Sequence, residues 1–245
     1  MKKALPHMNI ARADWFRLGS QFLVIIAGIT VSLAADRWRQ GIEDRETERT
    51  LLSGLEMDLK SDAEELELLA NFGRRWDETA QWVNHNENRP DIPKDSISIM
   101  FQPFGLTTFY AGTRATYSSG ISAGEVSMIL EDSLRTAVIN YYEVEQPSVI
   151  RYFTLVFDNW RKWYNVSARY LNWTILPSDT TMRRAIARTN LPELREPWET
   201  ISSDATLMGH IDISGMMGGD ISNLIDQVMA ANQALRKQIR AYLEG

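Results

Sequence analysis

Cysteine is absent from the chain, and histidine is nearly so, with three in 245 residues. Without thiols there are no disulfides, thiolate metal centres or cysteine nucleophiles, and an oxidising or a reducing compartment suits the chain equally. The histidines, His7, His85 and His210, are too few for a hydrolytic zinc site, which needs several ligands at ordered spacing, and His210-Ile211-Asp212 alone does not make one. No metal or other cofactor is expected. A surplus of positive charge is missing too. The formal net charge is -6, and the Lys and Arg residues are scattered among acids, so no concentrated basic surface is offered to phosphates and no nucleic-acid partner is expected. Gly-x-Ser-x-Gly, Walker and His-Glu-x-x-His sequences do not occur, and acid pairs on helix faces are too common to name a general acid and base. The sequence names no catalytic residue, and the expectation is a protein that is not an enzyme.

What the chain does have is an uncharged run, Leu18 to Ala35, LGSQFLVIIAGITVSLAA, between Arg17 and Asp36. At about 1.5 Å of rise per residue it makes roughly 27 Å of helix, close to the hydrocarbon thickness of a bilayer. This divides the chain into an N-terminal tail (1–17), a transmembrane helix (18–36) and an extramembrane helical domain (37–245). The basic residues before the run and Ser32-Leu33-Ala34 within it imitate a secretory signal, but the length of the run favours a retained anchor. Lys2, Lys3, Arg12 and Arg17 precede the span and Arg37, Arg39, Arg45 and Arg49 follow it, so basic residues alone do not orient it. The free amino terminus adds charge on the short side, which places the N-terminus in the cytoplasm and the domain in the periplasm, across a bacterial inner membrane. Trp15 and Phe16 before the span and Trp38 after it are read as membrane-interface anchors. Packing of the same rings on a neighbouring protein fits equally well.

Helical signals fill the rest. From Gln40 to about Asn84 no proline intervenes, and Leu52, Leu55, Leu59, Leu66, Leu69, Trp76, Ala80 and Val83 recur at steps of three and four, interrupted at Asp62 and Gly73. The stripe fits the core face of an antiparallel bundle better than a coiled-coil seam, and Asp58, Asp62, Glu64, Glu65 and Glu67 read as a solvated face. After a loop with Pro90 and Pro93, SISIMF (96–101) alternates like a strand but lacks a second strand to pair with, which favours a helix or an extended connector. Ser122 and Glu125 have capping-box spacing before Val126, Ile129, Leu130, Leu134, Val138 and Tyr141, a helix expected to end near Gln146, before Pro147. Ser148 to about Thr174 follows as an aromatic helix, and a short helix is expected around Met182 to Arg188. Thr200 to Gly219 is the least regular stretch, with Gly215-Met216-Met217-Gly218-Gly219 as a flexible loop and Asp220 capping a last helix. Asn165-Val166-Ser167 and Asn172-Trp173-Thr174 match a glycosylation pattern but fall within a predicted helix, so they read as helical asparagines. The fold class is all-α.

Three stretches in order, VIIAGITVSLAADRWRQ with LLSGLEMDLKSDAEEL, then ATYSSGISAGEV, then ILEDSLRTAVINYYE, carry a resemblance. They resemble a bacterial family of single-pass membrane proteins known as a domain of unknown function, over roughly residues 15 to 145. Tyr117, Ser119 and Gly120 match its Tyr, Ser-Gly pattern, and Leu130, Asp132, Leu134, Arg135, Tyr141 and Tyr142 its later one. The Tyr117 to Ser122 stretch departs from the family, which has a longer leucine-containing helix there. The resemblance implies architecture and no activity.

Anchor, aromatic helix and lack of catalytic constellations together point to a structural or accessory subunit whose partners are the lipid bilayer and other membrane protein subunits. The aromatic arc from Tyr152 to Trp173 exceeds the roughly 100 degrees that one packed face needs. At least one of Trp160, Trp163 and Trp173 is therefore expected at the surface as a partner-binding anchor. The alternatives are a small-molecule sensor or enzyme, in which His210, Asp212 or Arg135 converge on a concavity, and a coiled coil self-associating through the stripe from Leu52 to Val83.

Overall fold

A computed structural model describes residues 12–105, 110–173 and 192–245, with the backbone alone for 12–14, 16–20. The helices are α1 (Arg12–Asn86), α2 (Lys94–Phe101), α3 (Ala115–Ala123), α4 (Asp132–Asn140), α5 (Gln146–Ser167), α6 (Trp198–Ser202) and α7 (Ala205–Glu244). Two two-residue strands, β1 (Leu171–Asn172) and β2 (Glu193–Leu194), pair antiparallel with Leu171 opposite Leu194. The fold is all-α, and the chain divides into two compact units at Thr50 and Leu51. The first unit contains a stretch long and apolar enough to cross a membrane. Every side chain from Gln21 to Ala35 is exposed.

The second unit is a helical bundle. All eight stripe residues from Leu52 to Val83 are buried, at 4% exposure or less. The stripe is used up inside the domain, so it is not available as a coiled-coil seam. One core cluster joins Leu52, Leu55, Leu59, Leu66 and Leu69 of α1 to Leu134, Tyr141, Val149 and Phe153, and to Ile221, Ile225 and Val228 of α7. A second, aromatic cluster joins Trp76 and Val83 to Phe101, Phe104, Trp163, Trp198 and Leu207. SISIMF lies in α2, whose Ile97 and Phe101 are buried.

Several boundaries differ from the sequence reading, each for a local reason. Ser122 does not start a helix: it closes α3, and its hydroxyl donates to the Ser118 carbonyl. Gly124, at φ 77°, ends α3 in the left-handed region, donating to the Gly120 and Ile121 carbonyls, a cap that suits a residue without Cβ. Pro147 does not end the following helix. The chain passes from α4 through a π-turn, Tyr141–Glu145, into α5, with Pro147 in its first turn. In a regular α-helix the Pro147 ring would meet the Glu143 carbonyl, and the widened turn relieves that collision. The aromatic helix stops at Ser167, short of Thr174.

Gly215 to Gly219 is not a loop but part of the 40-residue α7, and its cap is Asp204, not Asp220. Asp204 Oδ1 accepts the N–H groups of Thr206 and Leu207 at 2.8 and 3.1 Å. The glycines let α7 approach α1. A Cβ built on Gly215 would lie 2.3 Å from the Ala80 Cβ, and one on Gly73 would lie 2.5 Å from the Ser222 Oγ. The expected helix around Met182 to Arg188 lies outside the described residues.

Candidate functional site

The two interruptions of the α1 stripe lie on its buried face. Gly73 is a contact with α7, and Asp62, expected in solvent, is 0% exposed at the centre of a polar cluster. Its Oδ1 accepts the Tyr110 hydroxyl at 2.8 Å and the Thr113 N–H at 3.1 Å. Its Oδ2 accepts the Tyr141 hydroxyl. Asn232 of α7 donates to the Tyr141 oxygen at 2.9 Å and to the Leu59 carbonyl at 3.0 Å. Gln146 donates to the Thr113 carbonyl at 3.3 Å, against Gly112, whose φ of 70° and 2.6 Å approach leave no place for a Cβ. Asp58, one turn before Asp62, accepts the Thr116 N–H at 2.7 Å.

Placement of the tyrosines follows from the π-turn, which directs the consecutive Tyr141 and Tyr142 inward together. Tyr142 stacks on Tyr117 at 4.5 Å and meets Tyr141 edge-on at 5.2 Å. Burial, then the Asp62 charge, holds the Tyr110 and Tyr141 hydroxyls well above the ordinary phenol range. Burial, then the Asp58 and Asp62 charges, does the same to Tyr142. The Tyr117 hydroxyl is pushed up to about 12 by burial and then by its hydrogen bond to Glu143. All four are neutral at physiological pH. Chemically the cluster is an acceptor hub, a carboxylate held by neutral donors from separate segments.

Of the expected interface residues, Trp15 and Trp38 are exposed, at 67% and 74%, whereas the Phe16 side chain lies outside the described residues. Trp163 is a correction: it is 1% exposed, packed between Phe104 and Trp173, and belongs to the core. The wide aromatic arc of α5 is covered in part because the turn after α2 brings Phe104 against Trp163, with Phe101 packed on Phe104. Trp160 and Trp173 are half-buried, and their indole N–H groups donate to the Phe104 carbonyl and the Ser167 hydroxyl. Arg135 bonds Asp132 and the Ile129 carbonyl, while Asp212 is exposed and accepts from Asn84. Two surface clefts, of about 390 and 470 Å³, are lined mostly by charged and polar residues and contain neither of these residues nor His210.

Sequence reasoning missed Asp62, Tyr110, Gln146 and Asn232. A charged residue at an apolar position of a helical stripe was the available signal for Asp62, and nothing local marked the others. Tyr117, Tyr141 and Tyr142, which carried the family resemblance, are brought together here. No family model, curated protein or solved structure matches the chain.

Proposed function

We propose that the protein is a membrane-anchored accessory subunit that docks on and stabilises a larger membrane protein complex. Its N-terminus is cytoplasmic and its helical domain periplasmic, in a bacterial inner membrane. The observation that carries this reading is an apolar stretch exposed from Gln21 to Ala35 in a chain whose other unit is a helical bundle with its own buried core. A stretch of that composition is stable in lipid or against another membrane helix, not in water. Trp15 and Trp38, exposed on either side of it, suit the headgroup layers. The resemblance to single-pass membrane proteins supports the same architecture.

Purification of the full chain from membranes in mild detergent tests the reading. Discrete partner subunits should co-purify in fixed ratio. Migration as a lone monomer with no partner would overturn it.

A further inference from the structure

Asp62 is fully buried, and among the described residues no Lys, Arg or His side chain bonds it. Its partners are two phenol hydroxyls and one amide N–H. Neutral donors recover only part of a carboxylate's hydration, and buried charges are commonly paired with an opposite charge or with a metal ion. A second, independent observation concerns oxygens in the same cluster. Tyr142 Oη, Gln146 Oε1 and Asn232 Oδ1 are buried without a hydrogen-bond partner. All three residues are 0% exposed, and two of the three atoms can only accept. Each lies beside the Asp62 network: Asn232 bonds the Tyr141 hydroxyl, Gln146 bonds the Thr113 carbonyl, and the Tyr142 ring meets that of Tyr141 edge-on at 5.2 Å.

The charges around the cluster leave it negative. Asp58 adds a second carboxylate one turn along the Asp62 face of α1, and the guanidinium at the edge of the cluster, Arg114, lies over the Tyr117 ring at 5.7 Å. Arg114 pairs with Glu143 at 3.2 Å, and Arg236, one turn beyond Asn232 on α7, pairs with Glu56 at 3.2 Å. A buried negative centre with spare neutral oxygens asks for a positive charge that is small and accepts several oxygen ligands.

We propose that the Asp62 cluster binds a single hard cation of the alkali or alkaline-earth class. It is held by the Asp62 carboxylate with neutral oxygens drawn from Tyr142, Gln146 and Asn232. Such ions take oxygen ligands from carboxylates and side-chain amides, which matches this set. Zinc and its relatives prefer nitrogen and sulfur ligands, and this set offers oxygens alone. The cation ties α1 to α5 and α7 and makes the stability of the bundle depend on the ions present. This inference is independent of the docking reading.

The 245-residue chain in lipid nanodiscs, stripped with chelator, is unfolded thermally while tryptophan fluorescence is followed. NaCl, KCl, MgCl2 and CaCl2 are compared with N-methyl-glucamine chloride at equal ionic strength. At saturation one of these ions should raise Tm by about 5 °C or more. Asp62→Asn should abolish that rise, and Gln146→Met should raise the half-saturating concentration about tenfold. Equal Tm in all five salts overturns the proposal, as does an ion-specific rise that survives both substitutions. Should Asp62→Asn not fold, Gln146→Met decides, and an unchanged half-saturating concentration counts against the site.

Discussion

Gly73 of α1 and Gly218 of α7 meet so closely that a Cβ on Gly218 would lie 2.5 Å from the Gly73 carbonyl oxygen. No side-chain rotation relieves such a contact, because one partner is backbone. The helices must separate, which disturbs the leucine packing on one side and the Trp76 layer on the other.

Gly218→Ala should therefore destabilise the domain by about 2 kcal/mol, in the range for overpacked cores. Gly209, in the same helix, has nothing within 4 Å of its Cβ position. Gly209→Ala should stabilise by about 0.5 to 1 kcal/mol through backbone entropy and helix propensity. Urea unfolding followed by tryptophan fluorescence compares the two, and equal effects would refute the close approach.

Three buried tryptophans test the value of an indole hydrogen bond. Trp76 and Trp198 donate to the carbonyls of Pro103 and Asn86 at 2.8 and 2.9 Å, whereas the Trp163 N–H has no partner. Tryptophan to phenylalanine removes similar volume at each site. The loss at Trp76 and Trp198 should exceed that at Trp163 by about 1 kcal/mol, the net worth of one hydrogen bond. Midpoints of denaturant unfolding for the three variants give the comparison.

Tyr141→Phe removes the hydroxyl that joins Asp62 to Asn232. It leaves the carboxylate short of a donor and the amide short of an acceptor, a cost of about 2 to 3 kcal/mol for groups that stay buried. Hydrogen exchange of the Tyr110–Arg114 backbone should quicken in the variant. A change confined to α4 would mean that the network does not couple these segments.

Acid should weaken the contact between α1 and the end of α7. The hydrogen bond from Arg240 holds the Glu56 carboxyl below its ordinary value of 4.5, with burial opposing and the Arg236 bond adding to it. A carboxyl whose value is lowered by folding contributes stability above its unfolded value, and that stability is lost as pH falls through the folded one. Unfolding midpoints should therefore drop below about pH 4.5, and part of that drop should vanish in Glu56→Gln. Solvent screening at this half-exposed site keeps the effect small, and salt should reduce it further.

The sequence by itself determined the apolar span, the all-α class and the buried face of α1, because helical periodicity is a local property carried by residues three and four apart. It also contained the position of Asp62, as a break in that periodicity. What the tertiary structure decided is which residues answer the break. Tyr141 lies 79 positions from Asp62, and Asn232 lies 91 from Tyr141. No local pattern registers pairs so far apart. The glycines of α7 show the same limit. Gly215 to Gly219 has a loop composition because helix propensity counts only the backbone entropy a glycine costs, and the gain, contact with Gly73 and Ala80, exists only once two helices have met. The burial of Trp163 was decided in the same way, by Phe104 arriving from another segment to cover an arc too wide for one helix face.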